Sequence, residues 1–154
     1  LEAETTYGPI KLILKLDKTT FRLSEEVNVT VTITNTSNET ILLLYAHPPK
    51  VDFAVYDSSS QIVCIYSRTH GFIGIFVSIV LDPSESYSQT LKWDQLEVDS
   101  FPPFASRQVL PGTYYITGRT GPALYYLGHK DEWHESTPPE WITVETPKIE
   151  IQIL

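Results

Sequence analysis

The side chains that could do chemistry are few, and their spacing does not match a catalytic or metal site. The chain has four histidines, at His47, His70, His129 and His134. Two of them lie in the segment 129–135, HKDEWHE, which lacks the H-E-x-x-H spacing that places two imidazoles on one zinc ion. Gly128 and Pro138 flank this segment and favour a loop with mixed charges. We therefore predict no bound metal and no other cofactor.

The remaining nucleophiles and acid–base groups also lack suitable neighbours. Cys64, the only cysteine, lies in the apolar run 62–65, where no cationic residue would lower its thiol pKa, and this predicts a buried, inert thiol. No serine stands in a G-x-S-x-G motif, and the glycines of segment 71–74 lack the lysine and helix of a phosphate-binding loop. The adjacent carboxylates Asp131 and Glu132 are typical of a solvated loop. The sequence thus predicts that the protein is not an enzyme.

The asparagines indicate a modification instead. Each of the three begins an N-x-S/T acceptor sequence for N-linked glycans, and they are Asn28, Asn35 and Asn38. The chain contains no methionine and begins at Leu1, as expected if a signal peptide has been removed. We therefore predict an extracellular or cell-surface glycoprotein.

Charge and composition exclude several classes of partner. Among 154 residues, 11 Lys and Arg stand against 19 Asp and Glu, a formal charge of −8 that argues against nucleic-acid binding. Hydrophobic residues make up 42 % of the chain, which is enough for the core of one domain and too many for a disordered chain. The longest apolar segment, residues 73–81, is too short for a membrane span. The expected partners are proteins and glycans.

Apolar residues recur at every second position along most of the chain, a pattern that predicts β-strands. These strands must position the candidate residues described above. In residues 27–34, four β-branched residues alternate with Asn28 and three threonines, the pattern of a strand with one solvated face. The predicted strands are 10–16, 27–34, 40–45, 51–56, 61–67, 75–81, 87–93, 113–117, 141–145 and 148–154, separated by turns rich in Asn, Asp, Ser, Pro and Gly. One short helix is predicted at 93–98.

This pattern predicts an all-β fold, an Ig-like antiparallel β-sandwich of about eight to ten short strands with minimal helix. Residues 1–17 are expected to form a polar N-terminal leader and a terminal strand, and residues 18–154 a single β-sandwich domain. Trp93 is expected in the core. Aromatic residues in the last third, such as Tyr125, Tyr126 and Trp141, either form a contact surface or cover the end of the sandwich.

Several segments, taken in order, resemble the BsuPI family of intracellular proteinase inhibitors. They are the opening Phe21-Arg22-Leu23-Ser24 with the strand up to Asn35, the strand 51–57, the turn 81–86 leading to Trp93, and the segment 110–114, LPGTY. The resemblance covers roughly residues 15–120 and departs from the family at Ser84, where the family's turn usually has glycine. It implies an Ig-like sandwich that presents a rigid loop to a proteinase, with residues 47–50 or 100–107 as the candidate loop.

Without enzymatic chemistry, the function is expected to be contact with other proteins. The main hypothesis is a structural subunit of a cell-surface filament or layer, a homopolymer in which one strand leaves its own sheet and completes a neighbour's. The strand expected to do so is the first apolar one, with the residues Ile10, Leu12, Leu14 and Leu16; the strand 149–154 is the alternative. A proteinase inhibitor and an adhesive or ligand-binding Ig-like module remain open.

Overall fold

Strands account for most of the described chain and form two main sheets packed face to face. The computed structural model describes residues 1–69, 74–98, 106–129, 132–135 and 141–154. The strands are β1 (Glu2–Tyr7), β2 (Ile10–Leu16), β3 (Thr20–Phe21), β4 (Val27–Asn35), β5 (Thr40–Tyr45), β6 (Val51–Asp57), β7 (Ile62–Ile65), β8 (Val77–Leu81), β9 (Ser86–Trp93), β10 (Leu96–Val98), β11 (Ser106–Gln108), β12 (Gly112–His129), β13 (Glu132–Glu135), β14 (Ile142–Glu145) and β15 (Ile149–Ile153). In these residues the only helical element is one 3₁₀ turn, Tyr66–Arg68.

The smaller sheet is antiparallel, with the strand order β1-β2-β4-β9. The polar leader is part of this sheet, because β1 pairs with β2 from Glu2 opposite Lys15 to Tyr7 opposite Ile10. The outer side of β4 and β9 carries a ladder of hydrogen-bonded hydroxyls, which we call the hydroxyl face: Thr30 with Thr90 (2.9 Å), Thr32 with Ser88 (2.8 Å) and Thr34 with Ser86 (2.7 Å).

The larger sheet is organised by β12, which pairs along both of its edges. Along one edge it pairs with β5 and then β6, and along the other with β13, β14 and β15 in succession. The strand β8 extends the sheet beyond β5, β7 extends it beyond β6, and the two-residue strand β3 adds to β15 in parallel. The segment predicted at 113–117 is thus the first part of a strand of 18 residues.

A bulge interrupts β12 near its middle. The register with β14 shifts between Thr120 and Ala123, where the chain passes through Gly121 and Pro122. Gly121 has a φ of +117°, and a Cβ at this position would lie 2.3 Å from the Ile142 carbonyl oxygen, so no other residue fits without displacement. On the opposite edge of β12, residues 46–50 connect β5 to β6 across from this bulge and do not take part in the pairing with β12.

The inner faces of the two sheets share one apolar core. Leu14 of the smaller sheet and Ile116 of the larger are completely buried in it. Trp93 of β9 packs edge-on against Tyr114 of β12 with ring centroids 6.1 Å apart, and its indole N–H donates to the Leu96 carbonyl (3.1 Å). Trp93 therefore connects the sheets inside the core, as its alternation in the sequence predicts.

Asn35 fixes the connection between β4 and β5 and is itself completely buried. Its Nδ2 donates to the Glu39 carbonyl (2.7 Å) and to the Leu81 carbonyl (3.0 Å). Its Oδ1 accepts from the backbone N–H (3.0 Å) and the hydroxyl (2.7 Å) of Ser37. The carboxamide thus has partners for both donor hydrogens and for its oxygen, and it joins the end of β4 to the end of β8.

The prediction of an all-β sandwich with minimal helix is confirmed. Fifteen strands are present in the described residues instead of eight to ten, because the short strands β1, β3, β10, β11 and β13 add to the ten predicted segments. The helix predicted at 93–98 is wrong. Gln95 turns the chain there with a φ of +63°, its Nε2 donates to the Arg22 and Glu25 carbonyls, and β10 pairs with β11. No helix in the described part has the length and apolar character needed to cross a bilayer.

We expect Ser84→Gly to raise the free energy of unfolding by up to about 1 kcal/mol. Ser84 has a φ of +68° in the turn between β8 and β9, a conformation that costs a residue with a Cβ about 1–2 kcal/mol. The greater freedom of glycine in the unfolded chain offsets part of this gain. Urea unfolding measures the difference. The matched control Ser58→Gly, in an exposed turn at ordinary φ, should lower the free energy of unfolding by about 0.5 kcal/mol; a similar change in both variants would contradict the prediction.

Candidate functional site

The outer side of the larger sheet is apolar where β8, β5 and the second half of β12 lie side by side. In β5 the residues at 41, 43 and 45 are buried in the core, so Leu42 and Leu44 point to the outside. Cross-strand pairing places Val80 of β8 and Tyr126 of β12 on either side of Leu42. Each of these side chains is partly or fully exposed. We call the set the apolar face, and it consists of Leu42, Leu44, Val80, Leu124 and Tyr126.

Two exposed aromatic rings lie at one end of the apolar face. Phe76 and Trp141 are 67 % and 45 % exposed, and their rings stack with centroids 6.2 Å apart and an angle of 10° between the planes. Phe76 directly precedes β8 and Trp141 directly precedes β14. Both therefore lie at the end of the sheet where residues 46–50 connect β5 to β6. Ile75, beside this aromatic pair, is 52 % exposed. A contiguous apolar surface of this kind is typical of a protein-contact site.

The segment 46–50, which we call the β5–β6 loop, is held at both ends. At its start the Ala46 N–H donates to the Pro122 carbonyl (3.2 Å). At its end the Thr120 hydroxyl donates to the Lys50 carbonyl (2.9 Å). Because the Thr120 hydroxyl hydrogen is used there, the buried Tyr45 hydroxyl donates to the Thr120 oxygen (2.8 Å). Burial raises the pKa of Tyr45 above its ordinary value, which keeps this donor protonated.

The side chains of the β5–β6 loop differ in accessibility. His47 is exposed, and its Nδ1 lies 2.9 Å from the Pro48 carbonyl oxygen. Pro48 and Pro49 restrict the backbone of the loop tip. The Lys50 ammonium lies 5.4 Å from the centre of the Tyr87 ring in β9, so the end of the loop also contacts the smaller sheet. The loop is therefore short and restricted by its two prolines, and it is fully exposed only at His47.

Cys64 lies on β7 beside a cavity of about 540 Å³ that Phe53, Tyr66 and Trp93 help to line. The thiol is 2 % exposed, and burial raises its pKa to about 12, with a smaller contribution from the carboxylates of Asp94 and Asp52. A buried thiol with a raised pKa is a poor nucleophile. This agrees with the inert thiol that the apolar run 62–65 predicts.

The three predicted glycan acceptors have different environments. Asn28 and Asn38 are exposed, and their glycosylation remains a prediction. Glycosylation of Asn35 likewise remains a prediction, and in the folded protein its side chain is buried, with Nδ2 donating to two carbonyls. The Asn-Thr-Ser sequence at this place forms a side-chain-stabilised turn, for which the same residue types are suited.

The strand predicted to assemble with a neighbouring copy lies within the sandwich of its own chain. Ile10, Leu12, Leu14 and Leu16 are completely or almost completely buried in the core of their own chain. They form β2, which pairs with β1 along one edge and with β4 along the other. The alternative, β15, lies between β12 and β3. In this structure β2 has a partner along both edges, whereas β3 pairs with β15 only at Gln152 and Ile153; exchange of either strand between copies remains a prediction.

The remaining candidates do not form a site in the described residues. Within them, no three His, Cys, Asp or Glu side chains come together as metal ligands. His70, Asp131 and most of the second candidate loop, residues 100–105, lie outside the described part of the chain. The end of that loop, Ser106–Gln108, is β11. Tyr125 and Tyr126, predicted beside loops, belong to β12, as does Tyr114 of the predicted strand 113–117.

A comparison with protein-family models agrees with the motifs. Residues 14–120 match the BsuPI family, described as intracellular proteinase inhibitor. The matched region spans β3 to β11, the end of β2 and the first half of β12. The chain belongs to this family. Its description as intracellular overturns the prediction of an extracellular or cell-surface location. The same description supports the inhibitor hypothesis better than the filament hypothesis, for which nothing was found.

Similar solved structures are distant. A β-glucosidase from Listeria innocua in complex with glucose is 15 % identical, with a TM-score of 0.43 over 94 % of this chain and 16 % of the enzyme. The alkylpurine DNA glycosylase AlkC from Pseudomonas fluorescens, bound to DNA with an abasic-site analogue, is 11 % identical, with a TM-score of 0.47 over 94 % of this chain and 30 % of that one.

The C-terminal domain of wzt is 7 % identical, with a TM-score of 0.46 over 99 % of this chain and 78 % of that one. No matching relative was found among curated proteins. The chain thus spans about a sixth of the glucosidase, and at these values the likeness assigns neither an activity nor a substrate.

We expect Thr120→Val to loosen the β5–β6 loop and to lower the free energy of unfolding by about 1–3 kcal/mol. The substitution leaves the buried Tyr45 hydroxyl without its acceptor and the Lys50 carbonyl without its donor. Hydrogen exchange should become faster at residues 46–50, and urea unfolding gives the stability. The control Thr30→Val removes one rung of the hydroxyl face and should change stability by less than about 0.5 kcal/mol. Unchanged exchange in the loop would contradict this assignment.

We expect native Cys64 to react with dithiobis(nitrobenzoic acid) at pH 8 roughly a thousandfold more slowly than the unfolded chain, because a pKa of about 12 leaves little thiolate. The folded-state pKa lies above the ordinary value of 9.0, so the stability that this group contributes is fully present below pH 9 and is lost as the pH rises towards 12. Rapid labelling of the native protein would show that the thiol is accessible and would contradict the prediction.

Proposed function

We propose that the protein inhibits a proteinase by presenting the β5–β6 loop on a surface widened by the apolar face and the aromatic pair. The observation that carries the proposal is a two-proline loop, held by hydrogen bonds at both ends, beside exposed apolar side chains. A loop that is already ordered loses little conformational entropy on binding, and the apolar side chains supply the contact area. The family description supports a proteinase as the partner.

In this proposal no bond is made or broken by the inhibitor. The loop and the aromatic pair cover the entrance of the proteinase and exclude its substrates, with His47 at the exposed start of the loop. Lys50 contributes to the shape of the loop, since its carbonyl and its ammonium both contact the body of the sandwich. The buried thiol of Cys64 takes no part. The protein is then a non-enzymatic binding module.

We expect the wild-type protein to inhibit at least one enzyme of a panel of subtilisin, trypsin, papain and thermolysin. The double variant Phe76→Ala/Trp141→Ala should raise the inhibition constant about 10–100-fold, because stacked aromatic residues in a contact surface carry much of the binding energy. Progress curves with chromogenic substrates measure the constant.

The matched control is Tyr7→Ala, which removes an aromatic ring that is 42 % exposed on the edge of the other sheet. Its inhibition constant should equal that of the wild type. If none of the four enzymes is inhibited at micromolar concentrations of the protein, or if Tyr7→Ala and the double variant weaken inhibition equally, the proposal is wrong.

A further inference from the structure

The strand β8 has one edge that no strand occupies in the described part of the chain. It pairs with β5 through all five residues, from Val77 opposite Tyr45 to Leu81 opposite Ile41. It is the last strand on this side of the larger sheet. Among the described residues, the backbone N–H and C=O groups along its outer edge therefore have no strand partner.

This edge differs from the other long edges in its charge. The edge strand β1 contains Glu2 and Glu4, and the edge strand β9 contains Lys92. The short uncharged edge strand β7 has β10 lying against it. In contrast, β8 has the sequence VSIVL, and no charged residue occurs between Gly74 and Leu81. Charged residues on edge strands oppose the addition of a foreign strand, so β8 lacks the protection that β1 and β9 have.

We propose that the free edge of β8 binds an extended segment of the protein partner, which adds to the larger sheet as a further strand. The inference rests on the proposed function for the identity of that partner, a proteinase. The added segment is uncharged and apolar at alternate positions. Main-chain hydrogen bonds along β8 give the affinity, and the side chains of alternate residues give the specificity.

The side chains beside the edge determine this chemistry. Phe76, Ser78 and Val80 are exposed at alternate positions along the same side of the chain. On the outer side of the sheet, Val80 lies beside Leu42 and Ser78 lies beside Leu44. Every second side chain of an added strand would lie next to Val80 or Ser78 in these cross-strand rows, so the added strand would widen the apolar face. A charged residue in one of these rows would lose solvation without gaining a partner. The edge therefore favours an uncharged segment with apolar residues in register with the apolar face.

A second copy of the chain is the alternative occupant, and charge argues against it. Each copy carries a formal charge of −8, so that two copies repel each other. In addition, the aromatic pair and the β5–β6 loop lie at the Val77 end of β8, which makes the edge continuous with the surface proposed to contact the proteinase. One partner can thus bind the loop, the apolar face and the edge together.

The probe for this edge is a fluorescein-labelled peptide of eight residues that alternates valine with threonine, added to the full chain. Fluorescence anisotropy measures its affinity, and hydrogen exchange measures protection of the amides at residues 77–81. We expect binding to the wild type with protection of these amides, and at least a tenfold weaker affinity for Ser78→Lys. The matched control is Gln89→Lys on the exposed part of β9, which should bind the peptide as the wild type does.

Absence of peptide binding, binding without protection at 77–81, or equal losses in the two lysine variants would overturn the inference. Self-association of the wild type by sedimentation that Ser78→Lys abolishes, with no peptide binding, would assign the edge to a second copy and would also overturn it. Inhibition of the proteinase panel is measured separately. If a proteinase is inhibited with unchanged constants by Ser78→Lys, the inference fails while the proposed function stands.

Discussion

The pairing of β12 along both edges is the constraint on which the larger sheet depends. Its eighteen residues pair with five other strands. In the described residues β5, β6 and β15 each have one further partner, and β13 and β14 have none. Because β5 and β6 follow one another along the same edge, any chain between them has to leave the ladder. The bulge at Gly121 of β12 lies opposite residues 46–50, which connect β5 to β6 outside the ladder. The Ala46 N–H donates to the Pro122 carbonyl and the Thr120 hydroxyl donates to the Lys50 carbonyl, so both ends of this loop are bound to β12. The exposed loop is a consequence of how the sheet is built.

The same arrangement leaves the apolar face partly exposed. The smaller sheet covers the inner side of the larger one, and on the outer side Val80 is exposed and the other four residues of the apolar face are partly exposed. The residues there are leucine, valine and tyrosine, and contact of their side chains with water does not stabilise the folded chain. Contact with a protein removes this surface from water and contributes in proportion to the apolar area that it buries. Loop, aromatic pair and apolar face then act as parts of one surface.

Local patterning was sufficient to predict much of the fold. The bounds of β2 and nearly those of β4 follow from strict alternation, because one face of each strand is buried and the other is solvated. The full length of β12 could not be predicted, since its glycines and Pro122 signal a loop unless the partners on both edges are known. A short helical turn is predicted at 93–98, but the buried Gln95 and the pairing of β10 with β11 decide the structure there. Tertiary contacts outweighed the local preference.

The candidate site was harder to predict. The sequence of β5, TILLLY, has apolar residues on both faces, and this signal could have indicated an exposed apolar side. Which strands lie beside β5 depends on the chain order in the sheet, and no local pattern contains it. The Asn35 sequence was interpreted as a glycan acceptor because the same residue types that accept glycans also form side-chain-stabilised turns, and only burial distinguishes the two.

The two outer faces of the sandwich have opposite character. One is the hydroxyl face, whose threonines and serines are hydrogen-bonded in pairs, and the other carries the apolar face. Under the proposed function a proteinase contacts the side of the apolar face, and the smaller sheet is directed towards the solvent. A thiol introduced at the solvent-exposed position of Asn28 would therefore attach the protein to a sensor surface with the apolar face outward.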